Sequence, residues 1–167
     1  MSSNHKSKVF AVALKDRSSV LPAGHAANAA FWLDDSTGNF ISSSWYLKEL
    51  PQWLTDFNAQ NYVKTYLEKG WSTLYPIESY SNSIADENRY EISPNKKEKA
   101  VFPYAYKLQI EKNKYAIIRA TPFGNSLTKD IAIACIKNEQ LGKDDETDLF
   151  SVSFSSPDIV AHSYGPR

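Results

Sequence analysis

Cysteine is almost missing from this chain: Cys135 stands alone. A single cysteine excludes an internal disulfide and any thiolate zinc cage. Its setting, Ile131-Ala132-Ile133-Ala134-Cys135-Ile136, reads as a helix face, and so as a small buried hydrophobe and not a nucleophile. Net charge is missing too, with 19 Lys+Arg against 19 Asp+Glu. That balance gives no electrostatic argument for nucleic acid or an anionic membrane as partner. No apolar run reaches the ~18 residues of a membrane span. The opening Met1-Ser2-Ser3-Asn4-His5-Lys6-Ser7-Lys8 has no apolar stretch and is not a signal peptide. Histidine is limited to His5, His25 and His162.

What is present suits one domain: 167 residues, 42% hydrophobic and 13% aromatic. Val9-Phe10-Ala11-Val12-Ala13-Leu14 is a continuous apolar run, the mark of a strand buried on both faces of a parallel sheet. A second strand is expected over Leu149-Phe150-Ser151-Val152-Ser153, and both are expected to be central and buried. Leu21-Pro22-Ala23-Gly24 reads as a turn. Ala30-Phe31-Trp32-Leu33 and Phe40-Ile41-Ser42 flank a loop containing Gly38-Asn39, which predicts a β-hairpin to one side of the sheet. One or two helices are expected between Pro51 and Gly70. Residues 75–100 read as polar loop, with Lys96-Lys97-Glu98-Lys99 as a solvated face. A helix is predicted from Asn125 to Glu139, stopped by Gly142. Strand–helix–strand order gives α/β. Residues 8–25 and 121–167 supply the sheet core, and 26–120 are expected to form a hairpin and helical insertion beside it.

Two residue pairs could carry chemistry. Asp158 and His162 lie four apart just past a strand, which places a carboxylate and an imidazole on one helical face. Both are good zinc ligands. The plainer reading is a capping Asp and a surface His. Lys15 and Arg17 follow the other strand, and an ammonium with a guanidinium suits phosphoryl oxygens. The plainer reading there is a pair of surface charges near Asp16. In open α/β sheets, sites lie outside the carboxyl ends of the strands. His25 reads as an exposed or satisfied histidine. Trp32, Trp45, Trp53 and Trp71 read as core, since no basic stripe accompanies them.

Several segments together resemble one family. They are the run from Lys8 through Lys15-Asp16-Arg17 to Gly24-His25, and Ala30-Phe31-Trp32 with the hairpin after it. With them go Trp71-Ser72-Thr73-Leu74-Tyr75-Pro76, Thr121-Pro122-Phe123-Gly124-Asn125, and Ser155-Ser156-Pro157-Asp158 with His162 and Gly165-Pro166. In this order they resemble the bacterial zinc-dependent alkaline phosphatases of the type I phosphodiesterase/nucleotide pyrophosphatase group. The resemblance implies an alkaline-phosphatase-like sheet-and-helix domain and phosphate monoester hydrolysis through a phosphoenzyme at a two-zinc site. It implies that Asp158 and His162 bind one zinc and that Lys15 and Arg17 contact the phosphoryl group of a phosphate ester substrate. In the family the nucleophile and further metal ligands lie outside the matching segment. The chain is therefore expected to be an internal slice, inactive alone, of a parent that is periplasmic or secreted. Exposed sheet edges are expected to favour self-association. Two alternatives stay open. One is a phosphodiesterase or nucleotide pyrophosphatase of the same superfamily, and the other a non-catalytic, aromatic-rich α/β binding module.

Overall fold

The structure, a computed structural model, describes residues 6–87, 91, 99–112 and 114–164. The basic run at Lys96-Lys97-Glu98, the Gly165-Pro166 pair and His5 lie outside the described residues. The fold is α/β. Four strands, β1 (Val9–Ala13), β2 (Ala29–Leu33), β3 (Phe40–Ile41) and β4 (Leu149–Ser153), form one sheet in the order β3-β2-β1-β4. β1 pairs in parallel with β2 on one side and with β4 on the other. β2 and β3 are antiparallel, the hairpin expected at Gly38-Asn39. Its first strand belongs to the parallel sheet itself, so the sheet takes in part of the stretch at 26–120 that the sequence set apart.

β1 lacks alternation because both of its faces are covered. Phe10, Val12 and Leu14 join the large core cluster with Phe31, Leu33, Leu127 and Ile131. Ala11 turns to a smaller cluster with Ala23 and Ala30. Small side chains on that face let helix α1 (Asp16–Ala23) pack close. The buried Ser19 hydroxyl of α1 donates to the carbonyl of Ala11 at 3.2 Å.

Helix α1 runs through most of the turn expected at Leu21–Gly24. It carries two serines and Pro22 and has no apolar stripe, so periodicity does not mark it. Pro22 removes one backbone donor near its end. Gly24, at φ +71, closes the helix with its N–H on the carbonyl of Val20 at 3.0 Å.

β4 departs from expectation as well. It is an edge strand, not a central one, and Leu149 is 47% exposed. Phe150 and Val152 pack on the core, while Ser151 and Ser153 alternate with them on the face toward α1, all four half-buried.

Of the one or two helices expected between Pro51 and Gly70 there are two, α2 (Gln52–Ala59) and α3 (Tyr62–Glu68). A short α4 (Lys107–Glu111) and a 3-10 turn (Tyr115–Ala120) lead into α5 (Pro122–Asn138). α5 begins three residues before the predicted Asn125. Pro122 takes its first position, where no N–H is needed. α6 (Ser156–Tyr164) follows β4. Its inner side buries Ser156 and Tyr164, and the Tyr164 ring meets Trp71 and Tyr104 at 5.4 and 5.3 Å. No helix among the described residues is long and apolar enough to cross a membrane.

Candidate active-site edge

The parallel pairing of β1 and β4 decides where the predicted residues go. Ala13 stands beside Ser153 in register, so both strands end at the same edge of the sheet. Lys15 leaves β1 there in extended conformation and precedes the first turn of α1, with Arg17 inside that turn. Asp16 accepts the Arg17 backbone N–H at 2.7 Å. α6 begins three residues after β4 ends and carries Asp158 and His162 on its outer side. The fold thus brings the phosphoryl-binding candidates and the metal-ligand candidates to one edge, where open α/β sheets place ligands.

Asp158 Oδ1 lies 3.3 Å from His162 Nε2, and both side chains are exposed. The i,i+4 geometry expected from the sequence is present. Their donor types, a carboxylate oxygen and an imidazole nitrogen, suit zinc. Among the described residues no group of three or more His, Cys, Asp or Glu is placed to hold a metal ion. Two donors alone fall short of the three or four protein ligands of a zinc site.

No sequence motif marks a further residue at this edge. Arg119, at the end of the 3-10 turn, donates from Nη2 to the carbonyl of Leu14 at 2.7 Å and to that of Leu33 at 3.3 Å. Its Nη2 also lies 2.7 Å from Asp35 Oδ1. Burial pushes the Asp35 carboxyl up. Arg119 pulls it down, and Asp34 and Asp16 push it up again.

Nearby, Gly124 lets three elements meet. A Cβ there would stand 2.1 Å from Ser156 Oγ of α6, 2.8 Å from the Ile118 carbonyl and 3.0 Å from Leu14 Cδ1 of the β1 end. The lack of a side chain at Gly124 lets the start of α6 lie close to the end of β1.

The remaining candidates behave as their plainer readings say, except that Trp45, expected in the core, lies on the surface. His25 is exposed and sets its ring edge-on to Trp45 at 5.6 Å. Trp32, Trp53 and Trp71 are partly buried against the core, while Trp45 is 67% exposed. Cys135 is buried in α5, and its thiol is pushed up to about 12 by burial and then by Glu139. A groove of about 990 Å³ runs between residues 69–86 and the start of α5, lined by Trp71, Phe102 and Phe123 among others. None of Lys15, Arg17, Asp158 or His162 lines it.

No protein-family profile matches the chain. Among known proteins, alkaline phosphatase PhoV of Synechococcus elongatus is 46% identical over 167 residues, covering 100% of this chain and 30% of PhoV. Alkaline phosphatase PafA of Elizabethkingia meningoseptica is 45% identical over 167 residues, covering 100% of this chain and 31% of PafA. A Myroides odoratus protein named calcium-transporting ATPase is 45% identical over 98% of this chain and 30% of its own length. The crystal structure of wild-type PafA superposes with a TM-score of 0.89 at 45% identity, covering 98% of this chain and 32% of that one. A PafA variant gives a TM-score of 0.91 at 44% identity over the same shares; it is substituted at a threonine, an asparagine, a lysine and, two positions on, an arginine. The chain spans about 30% of the length of the curated relatives it matches. Over the third or so of their length that it spans, the chain is similar in sequence and in fold to the alkaline phosphatases PhoV and PafA.

Proposed function

We propose that this chain is the part of a phosphate monoester hydrolase that grips the transferred phosphoryl group and supplies two ligands to one zinc ion. The observation that carries this reading is the shared edge. Lys15 and Arg17 follow one strand, Asp158 and His162 follow its parallel neighbour, and the strands end in register. The spacing of the lysine and arginine substituted in the PafA variant equals that of Lys15 and Arg17, which supports the assignment of this pair.

The division of labour follows from charge. A monoester presents three nonbridging oxygens, and an ammonium and a forked guanidinium are suited to hold them. A diester presents two and carries less charge, so the same cations favour the monoester. Asp158 and His162 would hold zinc from one face of α6 together with further ligands. Zinc, when bound, supplies Lewis acidity toward phosphoryl oxygens. No nucleophile is assigned within this chain. The phosphodiesterase reading differs in what the two cations achieve, and one experiment separates the two.

In the full-length protein, Lys15→Ala and Arg17→Ala are expected to slow an aryl phosphate monoester on the order of a hundred- to a thousandfold, the usual loss when a fixed donor to developing charge is removed. A matched diester should lose far less. His162→Ala should lower the zinc content of the purified protein. Equal losses on both esters would overturn the monoester reading, and undiminished zinc content in His162→Ala would remove α6 from the metal site.

A further inference from the structure

Leu14 and Leu33 sit side by side where β1 and β2 end, one residue past the Ala13–Trp32 register pair. Both are buried, at 0% and 2% exposure. A carbonyl at the end of a parallel strand has run out of ladder partners, and leaving it unpaired away from water is costly. The partner here comes from far along the chain. Arg119 donates from one nitrogen to both carbonyls, 105 and 86 residues away, and is itself only 20% exposed. Its charge is balanced by Asp35, whose Oδ1 lies 2.7 Å from Nη2. This pair abuts the segment that carries the two proposed phosphoryl-binding cations. Lys15 is bonded directly to Leu14, and the Asp35 carboxylate is close enough to Asp16 to feel its charge.

We propose that Arg119 is a positioning residue for Lys15 and Arg17, stapling the ends of β1 and β2 so that the segment leaving β1 enters α1 at one fixed place. The proposal rests on the phosphoryl-binding reading of Lys15 and Arg17. Arg119 does not touch substrate in this account. Its Nη2 is committed to the two carbonyls and to Asp35, and it acts through the backbone of Leu14. β1 is paired on both sides through Ala13 and α1 is tied to Ala11 at Ser19, so the link between them is the short stretch that Arg119 holds at Leu14. A cation that must meet phosphoryl oxygens loses much of its effect when displaced by about 1 Å, on the order of a hundredfold in rate.

The test is a set of variants in the full-length protein, assayed for kcat/KM on an aryl phosphate monoester with melting temperature measured alongside. Arg119→Ala is expected to lose about tenfold to a hundredfold. Arg119→Lys keeps a cationic donor and should lose less, and it stands in where the alanine variant does not fold. The deciding measurement repeats either change in a Lys15→Ala/Arg17→Ala background, where it should cost almost nothing more, because the groups it positions are gone. A loss of the same size in both backgrounds, or no loss in either, overturns the positioning role and leaves the phosphoryl-binding reading standing. If Lys15→Ala/Arg17→Ala is itself as active as the parent, the phosphoryl-binding reading falls, and the role of Arg119 falls with it.

Discussion

Replacing Gly124 with alanine should destabilise the chain, although helix propensity argues the opposite. Gly124 lies in the first turn of α5, and in a helix alanine is ordinarily favoured over glycine by about 1 kcal/mol. The added methyl, however, would meet Ser156 Oγ at 2.1 Å and the Ile118 carbonyl at 2.8 Å. Ser156 can turn its hydroxyl away. The Ile118 carbonyl cannot give easily, since it accepts from both the backbone N–H and the hydroxyl of Thr121, at 3.2 and 2.8 Å. Overpacking of a dense core typically costs ~1–3 kcal/mol, and two contacts this close belong near the upper end. Set against the propensity gain, a net loss of about 2 kcal/mol remains, a fall of about 4–8 °C in melting temperature for a chain of this size. Thermal unfolding followed by circular dichroism measures it. Adding Ser156→Ala removes the closer contact and should recover part of the loss, while the Ile118 contact keeps the double variant below the parent. A Gly124→Ala chain as stable as the parent, or more so, would refute the reasoning and show that α5 and α6 are free to separate.

Two further predictions concern titratable groups. Cys135 is fully buried and its thiol is pushed up to about 12, so a thiol reagent near pH 8 should label it only as fast as the chain unfolds; prompt stoichiometric labelling of the native protein would contradict its packing in α5. The Tyr66 phenol is pushed up to about 12 by burial and by its hydrogen bond to the Asp130 carboxylate. A group whose folded pKa is raised stabilises fully below its unfolded value and loses that contribution as pH climbs toward the folded one, so stability should fall between about pH 10 and pH 12. Tyr66→Phe should flatten that fall without removing it, since burial also raises Tyr106 and Tyr164; an unchanged urea-midpoint profile would rule Tyr66 out as a contributor.

The sequence carried most of the sheet, and where it misled, the reason is physical. The unbroken apolar run of β1 signals burial on both faces, and both are covered. The same burial is expected of the β4 segment, yet Phe150 and Val152 alternate there with Ser151 and Ser153, and at the edge of the sheet no residue of β4 is fully buried. α1 left no such trace. Eight residues with two serines and a proline show no stripe, and the helix is held mainly by what it packs against, the small residues of β1 and β2.

The candidate site divides along the same line. Asp158 and His162 are legible because their relation is local, four residues on one helix, and the structure keeps them at 3.3 Å. Lys15 and Arg17 stand out as candidates because they follow a recognisable strand, and open α/β sheets bind ligands beyond strand ends. That the two pairs share an edge depends on the β1–β4 register, a relation across 140 residues that no local pattern encodes. Arg119 is hidden for a stronger reason. Its partners are the backbone carbonyls of Leu14 and Leu33, which any residue could present, so no side-chain motif marks the contact at either end. Only the topology, by ending two parallel strands side by side with unpaired carbonyls, creates the need that the guanidinium meets. Groups that touch substrate can leave a signature in residue type and spacing, while groups that hold the backbone in place appear only when the strands are assembled.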